Sequence, residues 1–271
     1  MRCHLTALLV FTSFLAAHAA DHGPWLLQTR PNYDLHYKET DRAQMAEYES
    51  FLARGIAANE AFFQSSYPKR FDVYIHPDRA SFDIALQQQL HQPNFHSPCW
   101  LVAVGESDGI HILAPVRWDD GACEGRYTTY ADKEKTQKLI THELTHVFHG
   151  QTIRDHEMDG KKGLSWFEEG LAVYVSGQLG PSEIHDVQAA FRAHTVPGSL
   201  NGVATSDSIL LRYSMMGSLV LYIDRTYGKA RLKGLLQLDS QQEILSSLGV
   251  TEGQFLDGWR HFMLHSTGLS R

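Results

Sequence analysis

The stretch that decides the fold is Lys133-Glu-Lys-Thr-Gln-Lys-Leu-Ile-Thr-His142-Glu143-Leu-Thr-His146-Val-Phe-His-Gly-Gln151. It contains no proline and no glycine before Gly150, and Asp132 in front of it is a residue of the N-capping type. Leu139, Ile140, Leu144, Val147 and Phe148 recur at helical spacing and form an apolar stripe. A strand would place His142, Leu144 and His146 on one face and would need a turn signal that the stretch lacks, so the spacing predicts a helix. On that helix His142 and His146 lie one above the other at the edge of the stripe, with one side open. Two imidazoles so placed bind a single Zn²⁺ at about 2.0–2.1 Å each. Glu143 then sits beside the metal and takes a proton from a water on it.

Zinc needs a third protein ligand. One zinc-peptidase pattern puts a glycine three residues after the second histidine and a third histidine three further on; this chain has His149 and Thr152 there, and that reading fails. Downstream comes Trp166-Phe-Glu168-Glu169-Gly170-Leu-Ala172-Val173-Tyr174, and a helix there can bring a carboxylate to the metal. HExxH followed by W-x-x-E-G-x-A-x-Y resembles the gluzincin metallopeptidases, in particular the small peptidase-MA-like domains related to the catalytic core of zinc aminopeptidases. The resemblance implies that the glutamate directly before glycine, Glu169, is the ligand and that Glu168 is its neighbour.

Tyr213-Ser-Met-Met216-Gly217-Ser-Leu-Val-Leu-Tyr222, followed by Asp224-Arg-Thr-Tyr227-Gly228, is similar to the helix after the zinc site in the same group. There a tyrosine opening the helix points its phenol at the reacting carbonyl, a role the resemblance assigns to Tyr213. Aminopeptidases usually have glycine three residues after that tyrosine, whereas this chain has Met216, with Gly217 one later. The similarity spans roughly residues 72–228. The thermolysin-type aspartate four residues after the glutamate ligand is absent, Val173 standing in its place, so the group that orients the histidines is left open. His149 shares roughly the face of His142 and reads as a surface residue or a neighbour of the ligands; His185 and His194 read as structural or solvated.

The first residues set the compartment. After Met1-Arg2-Cys3-His4, residues 5–17 form an apolar run shorter than the ~20 residues a spanning helix needs. Ala17-His18-Ala19 then has the small-x-small pattern of a signal-peptidase site, so a signal peptide over 1–19 and no membrane anchor after cleavage are expected. Removing it leaves Cys99 and Cys123, an even pair that suggests one disulfide in an exported chain, two free buried cysteines being the alternative. Both features point to a periplasmic or secreted protein.

A net charge of −7 with no basic cluster argues against a nucleic-acid partner. The 43% apolar content suffices for one sizeable core or two joined subdomains. The layout reads as α+β: an N-terminal part over 20–131 with a mixed sheet and helices, then zinc-binding helices and a helical part over 132–271. Residues 34–37 and 71–75 read as strands, 41–63 and 79–89 as helices, and 101–104 with 110–114 as a hairpin around Gly105–Gly109. A charged, glycine-bearing loop follows the zinc helix over 154–163, and a helical remainder runs to about His265.

Strands first and helices after is the layout of the thermolysin-like zincin fold, in which an edge strand before the zinc helix lines the cleft; the expected edge strand is 110–114. The implied function is peptide-bond hydrolysis with one zinc per chain held by His142, His146 and Glu169, Glu143 as base and Tyr213 as oxyanion donor. The aminopeptidase segment that holds a free N-terminus is not visible; the corresponding stretch reads Leu101-Val-Ala-Val-Gly105, which favours an endopeptidase or narrow-substrate hydrolase. The partner is then a peptide or protein substrate, and oligomeric state is not set by the sequence. The alternative is an inactive zinc-binding domain that serves as a peptide- or protein-binding module.

Overall fold

A computed structural model describes residues 22–121, 123–153 and 163–266. The expected signal peptide and nearly all of the charged loop at 154–163 lie outside the described residues. Two layers make up the N-terminal part. Strands β1 (Leu26–Thr29), β2 (Tyr33–Tyr37), β3 (Phe71–His76), β4 (Ala103–Glu106) and β5 (Gly109–Leu113) form one mixed sheet in the order β1-β2-β3-β5-β4. β2, β3 and β5 run parallel, and β1 and β4 pair antiparallel at the two ends. Helix α1 (Met45–Phe63) follows a 3₁₀ turn at Glu39–Gln44, and α2 (Arg79–Gln89) begins where Asp78 accepts from the Ser81 N–H.

The edge strand differs from the expectation. β5 lies inside the sheet between β3 and β4, and β4 is the edge. The β3–α2 crossover lays β5 parallel beside β3, which leaves the other arm of the hairpin outermost. The apolar density of Ile110, Ile112 and Leu113, all buried, is what a strand with neighbours on both sides requires. β1 was not foreseen, because its side chains alternate between half-buried and exposed and it offers little apolar pattern.

The remainder is helical: α3 (Lys133–Thr152), α4 (Ser165–Ser176), α5 (Pro181–Arg192), α6 (Leu200–Ala204), α7 (Ile209–Tyr227), α8 (Lys229–Leu235), α9 (Gln241–Leu248) and α10 (Glu252–His265). Among the described residues, no helix is long and apolar enough to cross a membrane.

α3 joins two apolar cores. Leu139, Ile140, Leu144 and Val147 pack into the sheet-side core with Leu52, Ile56 and Ile110, while Phe148 joins the helical core with Phe63, Trp166 and Phe167. The stripe expected from the sequence is therefore shared between two neighbours, and His142 and His146 fall on the seam. α4 and α7 cross closely because residue 170 has no side chain; a Cβ at Gly170 would collide with the Met216 carbonyl. That crossing, with the Tyr174 hydroxyl donating to Asp224 Oδ2 at 2.6 Å, fixes α4 beneath α3.

Candidate metal centre

α3 starts at Asp132, whose side chain accepts from the Lys135 N–H at 3.0 Å, and three turns later it presents His142 and His146 inward. α4 brings Glu169 to the same point. His142 Nε2 and His146 Nε2 are 3.1 Å apart, and Glu169 Oε2 lies 3.3 Å from the first and 3.5 Å from the second. Three donors bonded to one tetrahedral ion at about 2.0–2.1 Å stand roughly 3.3 Å from one another. The observed triangle has that size. Glu169 Oε2 is buried, makes no hydrogen bond and faces both imidazoles. These three residues form a group able to hold a metal ion, as expected from the sequence.

The electrostatics agree. Burial works against charge at His146, but the Glu169 carboxylate overrides it and raises the imidazole to about 9. Burial likewise opposes ionisation of Glu169, and the two histidines, His146 foremost, hold it well below the usual carboxylate range. The carboxylate is therefore ionised, and a bound cation would take the place of the proton that His146 carries without it.

The residue that orients His142 is Gln178. His142 Nδ1 lies 2.8 Å from Gln178 Oε1, an atom that only accepts, so Nδ1 carries the proton and Nε2 keeps its lone pair for the centre. Gln178 is delivered by the end of α4. Gly177 turns left-handed (φ 75°), its N–H bonds the Tyr174 carbonyl, and the Gln178 N–H bonds the Val173 carbonyl at 3.1 Å. Sequence reasoning missed this residue; its one local signal was the Gly-Gln pair after a helical run.

Glu143 is buried at the floor of a cleft of about 380 Å³. Its Oε2 accepts from the Gly105 N–H on the edge strand at 2.9 Å. Tyr213, in the first turns of α7, lines the same cleft with its ring 6.1 Å from that of His142. The Glu169 carboxylate, together with burial, pushes its phenol far above the usual value, so it is a protonated hydrogen-bond donor.

One wall of the cleft comes from Trp100–Ala103 and another stretch from Gly125–Tyr127. Cys99 and Cys123 form a disulfide, Cα to Cα 5.7 Å, at the base of these two segments. Of the two positions expected for His149, at the surface or next to the ligands, the surface one does not hold: it is buried against Phe167, and burial, aided by His146, lowers it to about 3. His185 and His194 are exposed. No family model matches the chain, and no curated protein matches it at a significant level.

Proposed function

We propose that this chain is an exported zinc metallopeptidase of the gluzincin type, with a zincin-like fold and one zinc held by His142, His146 and Glu169. The observation that carries the reading is the triangle of donor atoms with sides of 3.1, 3.3 and 3.5 Å, placed beside a glutamate in an open cleft. Two imidazoles and one carboxylate with a free fourth position are the donor set of catalytic zinc. A tetrahedral geometry with nitrogen and oxygen donors fits zinc better than the hard, six-coordinate ions.

Zinc, when bound, acts as a Lewis acid that polarises the scissile carbonyl and acidifies water. The rest is the work of the chain. Glu143 removes a proton from the attacking water as its oxygen bonds to the carbonyl carbon, and passes that proton to the leaving amine nitrogen as the C–N bond breaks. Its bond from Gly105 keeps the carboxylate in place through both transfers. The Tyr213 hydroxyl donates to the carbonyl oxygen as negative charge develops there. Gln178 holds His142 in the tautomer that leaves Nε2 free. The Cys99–Cys123 disulfide suits an oxidising compartment and so supports export.

Digestion of a peptide library, with and without chelator, tests the activity, and metal analysis of the purified protein tests the centre. About one zinc per chain and chelator-sensitive cleavage are expected. Full zinc content in Glu169→Ala would mean that the third ligand is misassigned. Zinc-loaded protein that cleaves nothing in the library but captures peptides would replace the peptidase reading with that of a binding module.

A further inference from the structure

On the face of the sheet turned away from α3, residues from three neighbouring strands form a row of rings. His36, Tyr74 and His111 are cross-strand neighbours in register. The His36 and Tyr74 rings stack at 4.2 Å, and the Tyr74 and His111 rings stack at 5.0 Å. His76, one step along β3, meets His111 diagonally, with His76 Nε2 2.9 Å from His111 Nδ1. The other nitrogen of His76 is bonded to Ser81 Oγ at 3.0 Å. The pair borders a second cavity of about 480 Å³, closed by α2 on one side and by Trp25 on the other, with Asp72 and Asp108 at its rim.

We propose that this cavity is a second, weaker site for a divalent transition-metal ion, with His76 Nε2 and His111 Nδ1 as its two protein ligands and water completing the shell. Two imidazole nitrogens bound to one ion stand roughly 3.3 Å apart, so the pair needs to open by only a few tenths of an ångström. Ser81 accepts from His76 Nδ1–H, so His76 Nε2 holds a lone pair that accepts from His111 Nδ1–H; on binding, that proton moves to His111 Nε2, the other tautomer of a neutral imidazole, and both facing nitrogens turn to the ion. Both imidazoles are neutral at physiological pH: burial, then His111, pushes His76 down to about 3, and burial lowers His111. An ion therefore displaces no charge. The stacked rings immobilise both ligands in advance, which lowers the entropic cost of chelation. Asp72, Asp108 and Asp78 bias the site toward cations, against the ammonium of Lys38. Borderline ions such as Cu²⁺, Ni²⁺ and Zn²⁺ suit imidazole, with Cu²⁺ the tightest. With two ligands in place of three, binding is weaker than at the first centre and exchangeable.

The test uses zinc-loaded protein titrated with Cu²⁺, following total metal, released zinc and tryptophan emission. The Trp25 ring lies 5.5 Å from His76, so Cu²⁺ bound there quenches it. One added equivalent in the micromolar range is expected, with quenching that disappears in Trp25→Phe while the copper stays bound. His111→Phe keeps a ring on Tyr74 but has no nitrogen, and should weaken binding at least ~10-fold, a loss of one ligand bond. His261→Ala is the control for the other imidazole pair, His261 and His265, whose rings are 4.3 Å apart on α10; it should change nothing. Copper taken up with unchanged affinity by His111→Phe, or uptake abolished by His261→Ala alone, overturns the proposal. Zinc release in place of added uptake, without quenching of Trp25, overturns it too and leaves the first centre's assignment untouched.

Discussion

Gly105 and Glu143 meet with no room to spare: the Gly105 N–H donates to Glu143 Oε2 at 2.9 Å, and a Cβ on residue 105 would collide with the Glu143 carbonyl. The edge strand and the metal helix thus touch backbone to backbone at the base that the proposed reaction needs. A side chain at 105 must push β4 away and leave a buried carboxylate oxygen without its donor. Gly105→Ala should lower stability by about 1–3 kcal/mol in chemical denaturation. It should also depress peptide hydrolysis while metal content stays full. Unchanged hydrolysis in a folded Gly105→Ala protein would show that the contact does not position Glu143.

Glu143→Gln keeps an acceptor for the Gly105 N–H and both histidine ligands, so the fold and the metal should survive. Hydrolysis should fall by at least ~10²-fold, since the amide takes no proton. Tyr213→Phe removes one donor to the developing oxyanion, a loss of roughly 10²–10³ in rate that should appear in kcat. A change confined to KM would make Tyr213 a substrate contact instead.

Gln178 touches His142 through one hydrogen bond at 2.8 Å and lies in the cleft wall. Removing such a partner typically costs 10–100-fold in metal affinity. Gln178→Ala should show that loss in competition with a chelator, while Gln178→Glu, which keeps an accepting oxygen, should restore most of it. Equal affinity in wild type and Gln178→Ala would reduce the contact to packing.

What could be read in advance, and what could not, follows from the range of the forces involved. α3 was legible because its stripe is periodic and its cap is local, both written within one stretch of chain. His142 and His146 were legible because chelation from one helix demands a four-residue spacing, whereas Glu169, in place of its neighbour Glu168, rested on the resemblance of its motif to a known family. The identity of the edge strand was not, because it depends on where the β3–α2 crossover lays β5, a choice made by the whole sheet. Gln178 was hidden because its value lies in a turn that folds it back across to α3, 36 residues from its partner in sequence. His149 could be read as a surface residue or a neighbour of the ligands from its own helix alone; α4, through Phe167, buries it.

The disulfide closes a loop with a sequence separation of 24, for which the chain-entropy account gives about 3.5 kcal/mol of stability. Reduction should therefore lower Tm by several degrees. It should also loosen Trp100–Ala103 and Gly125–Tyr127, which line the cleft, so KM for a long peptide should rise more than kcat falls. Two free thiols titrating in native protein from an oxidising compartment would refute the pairing.

The last prediction concerns mild acid, in metal-free protein so that ion release plays no part. His76 and His149 are held at about 3 by burial, against about 6.5 for a histidine in the unfolded chain. As pH falls below 6.5 the unfolded state takes up these two protons and the native state does not, so stability drops by about 1.4 kcal/mol per pH unit for each histidine. Above 6.5 neither contributes. His146, which Glu169 keeps at about 9, is protonated in the native state throughout, so its opposing contribution fades as the unfolded state fills below 6.5. Ordinary carboxylates begin to titrate only below about 5, while Glu106 and Asp41, raised by burial, take up protons in the native state and act against the histidine slope. His111, which burial also lowers, adds to the same slope, so urea unfolding between pH 6.5 and 5 reads these buried imidazoles together. His149→Phe, placed against Phe167, should make the slope shallower by about 1.4 kcal/mol per pH unit and leave the stability at pH 8 comparatively little changed. A wild-type stability that is flat from pH 6.5 to 5 would mean that these histidines are not held neutral by the fold.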